Sequence, residues 1–207
     1  MSVAQAISNR IKRMKKGTPF VRKVFAEVGS RASVDKALFR LVQSGCLERV
    51  ARGVYMRPKL SEYTNQLVKP SPLAIMDVLA KANGETIQIH GAEAIRRLGL
   101  STQMQVVPVY YTSGRTREIK AGNAVVRLKH VSSDRLQQAG NKVGLALTAL
   151  YYLGKDGACP QTLSKIAATL SPDELTKLLA CRIPKWMRAA LAPFAEDANG
   201  SASAAVV

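Results

Sequence analysis

The sequence predicts an α+β chain in two parts: a small N-terminal block of helices ending in a hairpin, and a larger block with a small antiparallel sheet and C-terminal helices. Three observations predict it. Val34, Ala37, Leu38 and Leu41 recur at i, i+3, i+4 and i+7, the stripe of a helix buried on one side, and two short strand-favouring runs follow them. In the middle of the chain, Gln105–Thr112, Arg115–Lys120 and Ala124–His130 read as strands separated by glycine turns. After residue 134 the pattern is helical throughout.

Taken in order, Val3–Met14 is expected as a first helix, with Ile7, Ile11 and Met14 at helical spacing. A second helix is expected at or just after Thr18, because Pro19 loses nothing in a first turn where its N–H would have no partner. Gly29-Ser30 makes a turn, and Ser30 is placed to cap the helix that runs to Ser44. Gly45 closes that helix in the left-handed conformation that glycine tolerates. Cys46–Val50 and Val54–Met56 then pair around Ala51-Arg52-Gly53, with Gly53 supplying the positive φ of the turn. Helix, turn, helix and basic hairpin in this order read as a winged helix-turn-helix over residues 1–60.

The face opposite the stripe carries the chemistry. Arg31, Ser33, Lys36 and Arg40 are expected to point into a major groove, where Arg pairs with guanine edges. Ser30 belongs to the same site through the helix N-terminus, which can hold a phosphate. Arg49 and Arg52, beside Gly53 at the hairpin tip, are expected on the sugar-phosphate backbone. Asp35 reads as a solvated neighbour of this face.

Lys59–Pro72 is polar and proline-containing, an interdomain connection whose middle can form a turn of helix. A second domain is expected over residues 72–195. It begins with a helix at Leu73–Ala82 stopped by Asn83-Gly84, a strand at Glu85–His90 and a helix at Gly91–Leu98. Pro108 marks an edge or a bulge in the best strand. Helices follow at Asp134–Leu153 and Thr162–Leu170, then one opened by Ser171-Pro172-Asp173-Glu174, which has the form of a capping box. A last helix carries Trp186, Met187, Leu191 and Phe194, and residues 196–207 read as a disordered tail.

Charge narrows the partner. The formal net charge is +17, and residues 1–60 hold 14 of the 31 Lys and Arg against three acids, so the field is strongest where the DNA reader is expected. Such a field draws polyanions. No apolar run is long enough for a secretory signal or a membrane helix, so no membrane partner is expected and the cytoplasm is the default. Cys46, Cys159 and Cys181 are far apart and form no Cys-x-x-Cys, which points to reduced, mostly buried thiols. His90 and His130 are expected in structural roles.

Arg96, Arg97, Arg115, Arg117 and Lys120 form a second basic group, either a solvated rim or a grip for DNA, RNA or an acidic protein surface. Enzyme readings fall short. Gly29-Ser30 matches the Gly-Ser of nucleotidyltransferases without their paired acids. Glu118-Ile119-Lys120 is half of a Glu-x-Lys nuclease signature, but Asp77, the upstream acid, falls on an expected helix. No catalytic residue, metal or cofactor is expected.

Two stretches resemble a known family. Gly45-Cys46-Leu47-Glu48-Arg49-Val50-Ala51-Arg52-Gly53-Val54-Tyr55 is similar to the G-x-[IL]-x-R-[VI]-x-[RK]-G-[VL]-Y ending of the winged helix in abortive-infection type IV antitoxins, the AbiEi-like family. Ile89–Gln103 and Val109–Gly114 resemble the core of that family's second domain, and the likeness spans about residues 5–155. It implies a cytoplasmic autorepressor that binds repeats of double-stranded DNA in its own promoter. It also implies an antitoxin that counters a nucleotidyltransferase-type toxin, often without a stable complex. A stand-alone winged-helix regulator without a toxin, and a nucleic-acid-processing protein with a nuclease-like second domain, are the alternatives.

Overall fold

The N-terminal part is organised by one buried side on each of its helices. A computed structural model describes residues 2–203, with side chains for 2–194, and the chain is α+β. Helix α1 (Val3–Arg13) is capped by Ser2, whose hydroxyl accepts the Gln5 N–H, and it buries Ile7 and Ile11. Its last carbonyls would face solvent unsatisfied; Arg57 donates to Lys12 O and Met14 O, both at 2.7 Å, and ties them down. Ile7, Ile11, Phe25, Val34, Leu38 and Leu47 make one continuous core.

The second helix expected from Pro19 does not form. Phe20–Val21 is a short strand, β1, and only a single 3₁₀ turn follows at Arg22–Phe25. Two adjacent buried residues of high strand preference suit a ladder better than a 3.6-residue stripe. Helix α2 (Arg31–Gln43) forms as expected and is followed by β2 (Glu48–Ala51) and β3 (Val54–Met56). The three strands pair antiparallel in the order β1-β3-β2. In the β2–β3 pair Arg49 lies opposite Tyr55 and Ala51 opposite Val54, so Val50 is an inserted, bulged residue.

The connection from Lys59 holds a turn rather than helix, closed by a bridge between Leu60 and Leu67. Helix α3 (Pro72–Asn83) has Pro72 in its first turn, Ser71 as cap and Gly84 at φ +66 as its left-handed stop. The chain divides into two compact units, residues 1–85 with 118–126, and residues 86–117 with 127–207. The boundaries expected at 60 and 72 are therefore displaced: α3 counts with the first unit, because it packs on β1 and buries Ile75, Met76 and Ala80.

Strand β4 (Ile87–Ile89) leads to α4 (Gly91–Arg97), then to β5 (Val109–Thr112), which starts directly after Pro108. Strands β6 (Arg117–Ala121) and β7 (Ala124–His130) complete a sheet of order β4-β5-β7-β6. The sheet is not wholly antiparallel as expected. β4 and β5 are antiparallel, but β5 and β7 run parallel, from Val109↔Arg127 to Thr112↔His130. β5 thus has a neighbour on both sides, so Pro108 precedes an inner strand rather than marking an edge.

The helix expected at Asp134–Leu153 is shorter at its start. A 3₁₀ turn at Ser133–Arg135 is followed by Gln138 and Gly140 at φ +56 and +85, and α5 (Lys142–Gly157) begins only when Asn141 caps Gly144 N–H at 2.9 Å. Gly154, at φ +67 and ψ −174, breaks α5 near its end. Helices α6 (Pro160–Ala168) and α7 (Pro172–Ala180) follow, and the capping box of α7 is complete, with Ser171 and Glu174 exchanging bonds of 3.3 and 2.9 Å. Helices α5 to α8 enclose a second core around Leu147, Leu150, Ile166, Leu178 and Met187. Helix α8 runs over Lys185–Ser203, so residues 196–203 are helical rather than a tail. Residues 204–207 of the expected tail lie outside the described residues.

The thiols differ from expectation too. Cys181 is buried, but Cys46 and Cys159 are exposed, one at the junction of α2 and the hairpin and one at the start of α6.

Candidate nucleic-acid interface

Helix α2 is held by Val34, Ala37 and Leu38, all nearly inaccessible, and this fixes which side chains face outward. At about 100° per residue, Ala32, Lys36, Phe39 and Gln43 occupy the middle of the outer face, with Arg31 and Arg40 at its flanks. Lys36, Arg40 and Gln43 are exposed. Arg31 is 81% exposed.

The two serines do other work. Ser30 Oγ accepts the Ser33 N–H, and the Ser33 hydroxyl donates back to Ser30 O at 2.9 Å while lying 2.8 Å from Ser30 Oγ. Ser33 is half-buried on the flank and occupied by the cap, so it does not join the outer face as expected. Asp35 is likewise engaged rather than merely solvated. Arg22 NH1, on the 3₁₀ turn, lies 2.9 and 3.1 Å from its two carboxylate oxygens, and Arg31 Nε lies 3.9 Å away. Partly exposed pairs of this kind contribute little stability, about 0–1 kcal/mol, but they orient the groups they join.

The hairpin brings its cations to the same place. Gly53 turns at φ +76 with open space where a Cβ would project. Arg49, Arg52 and Gly53 line a groove of about 530 Å³ with Arg31 and Phe39 of α2 and Asn83 of α3. Arg49 stands in β2 opposite Tyr55, and Arg52 follows in the turn, past the bulge at Val50. Lys36, Arg40, Arg49 and Arg52 make no ion pair among the described residues.

The second basic group is drawn from both units. Lys120 belongs to the first unit and the four arginines to the second. Arg96 donates to both carboxylate oxygens of Glu93 at 2.7 and 2.8 Å, and Arg97 Nε adds a third bond at 2.8 Å. These bonds hold the Glu93 carboxyl down at about 2. Arg117 donates to Arg115 O, and Lys120 lies 3.7 Å from Glu118.

Around α4 the geometry is structural. His90 Nδ1 accepts the Ala92 N–H and so caps the helix, and its ring lies 4.8 Å from Tyr111 and 5.5 Å from Tyr152. Burial, aided by the positive charge of Lys129, pushes the His90 pKa down. A Cβ on Gly91 would stand 2.2 Å from Cβ of Tyr152, so only glycine fits there. His130 holds a turn through Nδ1 and Gly114 O. Among the described residues no group of three or more His, Cys, Asp or Glu is placed to hold a metal ion.

Residues 6–178 match a family of proteins spanning both units. The chain belongs to DUF6088, a family of unknown function. The DUF6088 match runs into α7, beyond the stretch of about 5–155 over which the antitoxin motifs were traced. No curated protein matches the chain. Among solved structures it is similar to the RV2827C protein from Mycobacterium tuberculosis, with 14% identity and a TM-score of 0.44, over 95% of this chain and 77% of that one.

Sequence reasoning missed Phe39, 62% exposed in the middle of the outer face, and the α3 residues Leu79 and Asn83 that border the groove. The helical angle alone could have found Phe39. Nothing local to Leu79 or Asn83 announces a groove built by a turn and a hairpin far away in sequence.

Proposed function

We propose that this chain is a sequence-specific DNA-binding regulator that acts on its own promoter. In this reading the first unit works as a winged helix-turn-helix, with α2 in the major groove and the hairpin against the backbone. The observation that carries it is the convergence of Arg31, Arg49 and Arg52 on one groove beside the exposed, unpaired Lys36 and Arg40. Guanidinium groups pair with guanine O6 and N7 or with phosphate oxygens, and cations without a carboxylate partner release counterions from DNA when they bind. Ser30 and Ser33 serve the reading by fixing the helix N-terminus, whose free N–H groups favour a phosphate.

The resemblance of the hairpin and of Ile89–Gln103 to AbiEi-like antitoxins supports a second role for the same chain. It would counter a nucleotidyltransferase-type toxin in the cytoplasm, with no catalysis of its own. Binding to the promoter duplex and to an unrelated duplex across a salt series tests the first role. Arg40→Ala is expected to relax base choice at one position, with a loss of about 1–3 kcal/mol there, and Arg52→Ala to lower the salt slope by about one without changing base choice. Equal affinity for both duplexes at every salt concentration overturns the regulator reading. Co-expression with a toxin of that class tests the second role, with restored growth expected; continued arrest removes the antitoxin role and leaves the regulator.

A further inference from the structure

Phe39 is the residue on α2 that neither packing nor charge explains. Its benzyl group is 62% exposed, while Val34, Ala37 and Leu38 fill the buried side without it. It stands in the middle of the outward face, with Arg31 and Arg40 on its flanks and Lys36 one turn before it. The edge of the major groove offers one apolar target, the C5-methyl group of thymine, and Phe is among the side chains that meet it.

We propose that Phe39 is a specificity-determining residue that packs on a thymine methyl group in duplex DNA. The inference rests on the DNA-binding reading above and names the base that this reading leaves open. Two further observations favour it. The surroundings join cations to an apolar floor: Arg31, Lys36 and Arg40 share the helix surface, Arg49 and Arg52 line the groove with Val21, Tyr55, Leu79 and Ala82, and the acid beside them, Asp35, is engaged by Arg22. Gln43, exposed one turn beyond Phe39, carries the amide that pairs with adenine N6 and N7, so the same line of the helix suits A·T pairs.

The test uses the full chain. A preferred duplex is first selected from a random library, and each thymine in it is then replaced singly by deoxyuridine, which removes the methyl group alone. The wild-type chain is expected to lose about fourfold in affinity at one or two positions, the worth of one buried methyl group. Phe39→Ala is expected to bind thymine and deoxyuridine duplexes equally at those positions, with an unchanged salt slope and melting temperature. Equal losses in both proteins, or none in either, overturn the role of Phe39 while leaving DNA binding intact. Failure to enrich any sequence overturns both readings.

Discussion

Arg49 and Arg52 on the hairpin meet no carboxylate among the described residues, whereas Arg96 and Arg97 on α4 share one, Glu93. In composition the two pairs are equivalent. In energy they are opposites. A cation already neutralised by a neighbour has few counterions to release and must break its own bonds to reach a phosphate, so it adds little to DNA affinity. The α4 pair is instead part of how its helix is held, together with the His90 cap and the close approach of Gly91 to Tyr152. Net charge alone therefore does not tell the hairpin pair from the α4 pair.

The comparison breaks most visibly if α4 proves dispensable to folding. Gly91→Ala forces a Cβ into the Tyr152 side chain and is expected to destabilise the fold by about 1–3 kcal/mol in urea denaturation, while the folded fraction keeps its DNA affinity. A smaller effect is expected from charge. Arg49→Ala with Arg52→Ala should lower the slope of log K against log salt by about two, and Arg96→Ala with Arg97→Ala should leave it unchanged. Equal slopes for the two double variants would show that both pairs are used alike.

Acid sharpens the contrast further. Glu93 has its pKa depressed by two arginines, so its contribution is fully present above the ordinary carboxylate value and is lost as pH falls toward about 2. The urea midpoint of the wild-type chain should fall through that range more than that of Glu93→Gln. The smallest effect belongs to His90, whose pKa is lowered by burial. The unfolded chain then binds the proton more readily, so stability should decline as pH falls below about 6.5. His90→Asn, which keeps an acceptor at the helix start, should flatten that decline.

Much of the fold was legible because local chemistry and tertiary structure agree. Ser30, Gly45, Gly84 and the Ser171–Glu174 box stand at helix ends where their side chains or backbone freedom place them. The misreadings share one cause, partners distant in sequence. Phe20–Val21 becomes a strand because Tyr55 and Val54 lie opposite. The parallel partner of β5 comes from β7, after the intervening β6. On the outer face of α2, Lys36 and Arg40 could be placed from helical angle alone, but Ser33 was lost to a cap and Phe39 was passed over because apolar residues are assigned to cores by default. The partnering of Glu93 with Arg96 and Arg97 follows from i+3 and i+4 spacing and could have been anticipated.

Val50 has a consequence out of proportion to its chemistry. Strand residues obey parity, odd positions to one side and even to the other, and Arg49 stands in such a strand while Arg52 follows it in the turn. The extra residue in β2 breaks the alternation between Arg49 and Ala51 and adds twist just before the turn that carries Arg52. Trimming Val50 would leave the charge of the hairpin untouched and remove that twist, with Arg49 still opposite Tyr55 and Ala51 opposite Val54. In this loop, counting residues matters more than counting cations.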